Sequence, residues 1–151
     1  MQLTIFTDYG LRTLMYLAAY PERRCSVREV AEHYGISRNH LVKVVHFLSQ
    51  LGYIDSSKGK GGGIRLAKPA ETLRIGDLVR ELEPHMQLVE CFDKDTNTCR
   101  ISNGCQLKHF LAEANAAFIS ALNRYTLAET PKAIEYLETG RARGKVVIAI
   151  E

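Results

Sequence analysis

Three of the four cysteines, Cys91, Cys99 and Cys105, fall within the fifteen residues CFDKDTNTCRISNGC, on a stretch rich in Asn, Thr, Ser and Gly. Three thiols cannot close into a set of local disulfides. Their gaps of seven and then five residues lack the tight pairs from which structural zinc sites usually draw ligands. A zinc ion held by the three cysteines and His85 or His109 stays open, and so does a regulatory disulfide. An iron–sulfur cluster is larger than one metal ion, and a longer loop wraps it more readily. Cys105 opens an apolar-patterned run that reads as a helix. Free backbone N–H groups at that end favour an anionic centre. Cys25 is remote in sequence and reads as a small buried apolar residue.

The rest of the chain has to position these sulfurs. With 151 residues, 46% of them hydrophobic, it can build one ordinary core. MQLTIFTDYGLR shows no charged leader followed by an apolar run, and no segment has the roughly 18 apolar residues of a membrane span. A cytoplasmic protein, where thiols stay reduced, is the expectation. The net charge of +3 is unevenly spread. Residues 1–68 carry ten Lys and Arg against five Asp and Glu, and residues 69–151 carry ten against twelve. The basic first part suits a polyanionic partner.

FTDYGLRTLMYLAAYPE reads as a helix capped at Thr7 or Asp8, with Leu11, Leu14, Leu17 and Ala18 on one face and a stop at Pro21. SVREVAEHYG opens with a capping box, Ser26 to Glu29, and closes at Gly35. Ser37 is then placed to cap SRNHLVKVVHFLSQLG, whose Leu41, Val44, Val45, Leu48 and Leu51 repeat at helical spacing. Two short helices around a glycine turn form a helix-turn-helix pattern. Tyr53-Ile54 and Ile64-Arg65-Leu66 follow as short strands joined by Ser56 to Gly63. The glycines lack the Gly-Lys-Ser/Thr ending of a nucleotide loop, so the hairpin reads as a wing lying against DNA. Lys58, Lys60 and Arg65 would neutralise phosphates or enter the minor groove. Arg38, Asn39, His40 and Lys43 occupy the first turns of the third helix, where a recognition helix meets base edges. Arg suits guanine and Asn suits adenine, so Arg38 and Asn39 are the first choices for readout.

The expected architecture is mainly α with a small β-wing. Residues 1–83 form a winged helix-turn-helix with an added clamp helix in LRIGDLVRELEP, and residues 84–105 form the cysteine loop. Residues 106–130 form a dimerisation helix, and residues 131–151 form a tail without an assigned role. Leu107, Leu111, Ala114, Phe118, Ala121 and Tyr125 alternate at steps of four and three, a seam that a two-fold mate would cover. No convergent acid/base set or cofactor fingerprint suggests an enzyme. A basic recognition helix and wing have no use in an electron carrier.

QLTIFTDYGLRTLMYLAAYPE, the run from VREVAEHYG through GKGGGIRL, IGDLVRELEP and three cysteines before a long helix together resemble the winged-helix family of cluster-bearing regulators that includes the NsrR and IscR types. The likeness is to the nitric-oxide-responsive NsrR type and runs to about Thr130. It implies a homodimeric repressor of an inverted-repeat operator in double-stranded DNA, with Cys91, Cys99 and Cys105 holding an iron–sulfur cluster, for which 4Fe–4S is favoured over 2Fe–2S. Nitric oxide would release the DNA through damage to or loss of the cluster. A sensor of iron–sulfur supply or redox state is the alternative within that family. IscR-like members carry a ligand histidine three residues after the last cysteine, which is Lys108 here. The resemblance includes FTDYGLR and makes Asp8, supplied by the other subunit, the fourth ligand, with His85 and His109 as rivals.

Overall fold

The computed structural model describes residues 2–131. Helix α1 spans Ile5–Ala19, α2 Val27–Tyr34, α3 Arg38–Gln50, α4 Ile75–Leu82 and α5 Gln106–Leu122. A two-stranded antiparallel sheet, β1 Ile54–Ser57 and β2 Gly63–Leu66, lies between α3 and α4. The mainly helical, winged fold expected from the pattern is present.

The start of α1 corrects the sequence reading. Its cap is Thr4, one turn before Thr7 and Asp8, and the Thr4 hydroxyl accepts from the Thr7 N–H at 3.2 Å. Thr7 is buried, and its hydroxyl donates to the Glu83 carboxylate at 2.8 Å. The Thr4 N–H, at 2.8 Å, and the Thr4 hydroxyl, at 3.2 Å, donate to the same oxygen. Three donors explain how a carboxylate is buried at the end of α4. They also tie the start of α1 to the residue that precedes the cysteine loop. Asp8 sits in the first turn of α1, where its charge opposes the helix dipole.

Helix α2 begins as its sequence dictates. The Ser26 hydroxyl accepts from the Glu29 N–H at 3.0 Å, and Glu29 accepts from the Ser26 N–H at 3.3 Å. Arg23 and the Tyr16 hydroxyl also donate to Glu29, and these bonds, Arg23 first, pull its carboxyl from the ordinary 4.5 to about 2. Gly35 adopts the left-handed conformation that ends the helix. Ser37 stands at the cap position of α3 but makes no capping hydrogen bond. Leu41, Val44, Val45 and Leu48 bury one face of α3 against α1 and α2.

The strands are longer than their apolar residues suggest. Ser57 pairs with Gly63, so the wing tip is 58–62 rather than the whole of 56–63. Cys25 adds a short third rung: its N–H donates to the Ile64 carbonyl at 2.9 Å, and its carbonyl accepts from the Ile64 N–H at 2.8 Å. A β-carbon on Gly63 would stand 2.7 Å from the Cys25 carbonyl oxygen, so glycine is required for this approach. Cys25 is fully buried, as expected, and burial pushes its thiol up.

Helices α4 and α5 lock by a device the pattern did not reveal. No side chain of α4's own N-cap residue, Arg74, caps it. Asn123, at the end of α5, does so instead: its Oδ1 accepts from the Asp77 N–H at 2.9 Å and its Nδ2 donates to Asp77 Oδ1 at 2.9 Å. Only Ile119 of α5 is buried. The expected seam is largely uncovered: Leu107 is 60% exposed, Ala114, Ala121 and Tyr125 are exposed, and Leu111 and Phe118 are half-buried. Phe110, which the seam omitted, is 62% exposed beside them. The helix-like piece of the tail and its KVVIAI run lie outside the described residues.

Candidate functional site

Helix α3 divides sharply between its two faces. Opposite the buried stripe, Arg38, Asn39, His40 and Lys43 are exposed, and none of them has a side-chain hydrogen bond or ion pair among the described residues. Helical periodicity places Val42 and His46 on the same outward face, and both are exposed. The sequence expectation names neither: Val42 is apolar and is passed over among the polar residues of the first two turns, and His46 is found by continuing the 3.6-residue period past Lys43. His40 sits at the edge instead, lining an apolar groove of about 180 Å³ with Ile5, Phe6, Tyr9, Lys43 and Val44.

The wing separates its cations into two kinds. Lys58 and Lys60 stand exposed at the tip, without an ion pair among the described residues. Arg65 instead pairs with Asp55 across the strands at 3.0 Å, and Arg24 joins the same carboxylate at 2.7 Å. The two guanidiniums, Arg24 first, hold the Asp55 carboxyl below its usual range. Arg24 also donates to the carbonyls of Asp55 and Gly63. Arg65 is thus tied to Asp55 while its side chain stays 55% exposed, and the two lysines at the tip carry no ion pair among the described residues.

The cysteine loop is knit by its own polar side chains rather than by the core. Asp93 accepts from the Asp95 N–H at 2.9 Å and from the Thr96 hydroxyl at 2.9 Å, while Asn97 accepts from the Cys99 N–H at 3.0 Å and donates to Ser102 at 3.0 Å. Asn115 of α5 fastens the loop's beginning by donating to the Met86 carbonyl at 2.9 Å. Cys91, Cys99 and Cys105 are free thiols, all half-buried. Cys105 is the N-cap residue of α5, and its side chain makes no capping hydrogen bond. Its sulfur is left for another partner beside the unpaired N–H groups of the first turn.

Among the described residues, no three His, Cys, Asp or Glu side chains converge closely enough to hold a metal ion. The structure thus places the three cysteines on one loop without gathering them into a ligand set. Asp8 is elsewhere, on the outer side of α1, in an ion pair with Arg12 at 2.9 Å. His85 and His109 are exposed. By donor chemistry the residues still fit a cluster, because thiols such as these three, unpaired and on one loop, are the ligands an iron–sulfur centre takes.

A free cationic recognition helix, a glycine-rich wing and an added helix with an uncovered apolar face define a winged-helix transcription regulator. Residues 3–132 match the model of the Rrf2 family, described as an iron-dependent transcriptional regulator, and the chain belongs to that family. Members are transcription regulators rather than enzymes, bind DNA and are typically dimeric.

Among solved structures, the chain is similar to T. potens IscR at 22% identity, covering 95% of this chain and 94% of that one with a TM-score of 0.70. It is similar to the oxidized form of Staphylococcus aureus CymR at 26% identity, covering 87% and 97%, with a TM-score of 0.68. The B. subtilis global cysteine regulator CymR matches at 22% identity over 88% and 98%, with a TM-score of 0.72. No described helix is long and apolar enough to cross a membrane.

Proposed function

We propose that this regulator is a homodimeric repressor that binds an inverted-repeat operator and carries an iron–sulfur cluster on Cys91, Cys99 and Cys105, with nitric oxide as its signal. One observation carries the reading: three free, half-buried thiols share a loop that ends at the N-cap of the helix with the uncovered apolar face. A bound cluster would supply iron able to react with nitric oxide. The chain's own part is structural. Three thiolates bind the group, the first turn of α5 offsets negative charge there, and Glu83 ties the loop's base to α1. Sensing iron–sulfur supply is the second reading, favoured by the iron-dependence in the family's description.

The deciding experiment is anaerobic purification with a visible spectrum and an iron and sulfide assay, followed by addition of a nitric oxide donor to the protein–operator complex. Brown protein that releases its operator supports the reading. A colourless preparation with stoichiometric zinc would overturn the cluster, and a coloured protein that ignores nitric oxide but follows iron supply would favour the second reading.

Asp8 of one subunit is proposed as the fourth ligand to the partner's cluster. Its pairing with Arg12 is exposed on both sides and so inexpensive to break. A hard carboxylate is the most exchangeable member of a thiolate set. Asp8→Ala should still assemble a cluster, with an altered spectrum and weakened coupling to DNA. Asp8→Cys should keep the cluster but respond sluggishly to nitric oxide. A cluster-loaded structure with His85 or His109 on the fourth iron would assign the ligand elsewhere.

The DNA contacts make separable predictions. If each dimer neutralises about six to eight phosphates, log affinity should fall with log salt at a slope of roughly −5 to −7. Lys60→Ala should weaken all sequences alike and flatten that slope. Arg38→Ala or Asn39→Ala should instead narrow the gap between operator and random DNA by about 1–3 kcal/mol per lost base contact. Titrations at several salt concentrations with both duplexes distinguish these outcomes.

A further inference from the structure

Val42 is an apolar, β-branched residue on the face of α3 that otherwise shows only polar groups. It is 46% exposed, between Asn39 three residues before and His46 four residues after, with Lys43 beside it. Among the described residues, it belongs neither to the core cluster nor to the apolar side chains packed against it. The core takes Leu41, Val44, Val45 and Leu48, and the apolar groove between α1 and α3 is lined by His40, Lys43 and Val44 of this helix. A valine is also a poorer helix former than alanine, so local stability does not call for it.

We infer that Val42 reads the 5-methyl group of a thymine. This rests on the regulator's DNA binding and adds an apolar contact to it. In the major groove, the thymine methyl is the apolar feature of the base edges, and an aliphatic side chain recognises it by excluding water. The free cations around Val42, Arg38 and Lys43, and those of the wing tip, Lys58 and Lys60, suit a polyanionic surface rather than a protein partner. Arg38 and Asn39 offer hydrogen bonds to guanine and adenine. Val42 adds a distinction neither can make, between thymine and a pyrimidine without the methyl.

The test uses the full-length protein, purified anaerobically, and a duplex enriched from a random-sequence pool. Each thymine of that duplex is replaced singly by deoxyuridine, which removes the methyl and leaves pairing intact. At one thymine in each half-site, the replacement should weaken binding about fourfold, and about fifteenfold when made in both, from roughly 0.8 kcal/mol per buried carbon. Val42→Ala, whose folding is not at risk because alanine favours the helix, should bind the thymine duplex more weakly by a similar factor and be indifferent to deoxyuridine. If no duplex is enriched above random DNA, the DNA-reading assignment itself fails. If the wild type binds an enriched duplex with no thymine-to-deoxyuridine effect beyond about twofold, the Val42 inference is overturned. It is overturned equally if Val42→Ala keeps the wild-type sensitivity, or if it changes the oligomeric state instead of base preference.

Discussion

Replacing any one of Cys91, Cys99 or Cys105 by Ala is expected to remove the visible absorbance and operator-specific DNA binding together, while the fold stays intact. Specific complexes are typically a thousandfold or more tighter than the same protein's random-DNA binding, so loss of specificity should read as a drop of about that size. The fold is insulated because the three side chains are outside the core and their loop is held by Asp93, Asn97 and Asn115. Compared with wild type stripped of its cluster, which removes the stabilisation a bound group gives the folded state, thermal unfolding should therefore shift by no more than a surface substitution does, about 0.5 kcal/mol. Cys25→Ala should do the reverse. Cys25 is fully buried beside β2, so its loss should cost about 1–2 kcal/mol while colour and operator affinity are kept. Iron content, gel shift and melting curves on the four variants check the pattern. A cluster-free variant that holds the operator as tightly as the wild type would remove the cluster from the mechanism.

The second large effect is expected at Gly76. A β-carbon there would stand 2.5 Å from the Ile119 carbonyl oxygen and press on the Asn123 amide. Both obstacles belong to α5, and backbone cannot swing aside as a side-chain tip can. Asn123 is also the group that caps α4, so moving it strips the Asp77 N–H of its partner. Gly76→Ala should lower unfolding stability by about 3 kcal/mol, overpacking and lost cap together. Because Cys105 is the N-cap residue of α5, the variant should also lose the proposed cluster's iron faster than the wild type. Gly104→Ala is the matched control, since a β-carbon there meets nothing within 4 Å, and it should be close to neutral. A urea midpoint for Gly76→Ala equal to that of Gly104→Ala would mean that α4 and α5 do not depend on this approach.

Some elements were legible because their cause is local. The capping box at Ser26 and Glu29, the left-handed stop at Gly35 and the buried stripe of α3 each depend on residues within a turn or two of one another. The wing was legible in kind but not in length. Ser56 and Ser57 have no apolar signal, and they are strand only because Ile64 and Gly63 face them. The start of α1 was misplaced for a related reason. Thr4, Thr7 and Asp8 are all good caps in isolation, and what separates them is Glu83, 76 residues from Thr7. It draws the Thr7 hydroxyl into the interior and leaves Asp8 at the surface.

The candidate site divides in the same way. Composition and period alone marked Arg38, Asn39, Lys43, Lys58 and Lys60 as exposed cations and amides on a helix-turn-helix and wing, because exposure opposite an apolar stripe follows from helix geometry. The fold then distinguished Arg65 from the lysines, through an Asp55 that spacing cannot pair with it and with Arg24 at once.

By itself, the sequence determined which residues are chemically competent: three thiols on one polar loop, a basic helix and an apolar seam on a long helix. Tertiary structure alone decided which of them are committed elsewhere. Hydrogen bonds and ion pairs act over about 3 Å, and only the folded chain brings Glu83 to Thr7, Asn123 to Asp77 and Arg24 to Asp55.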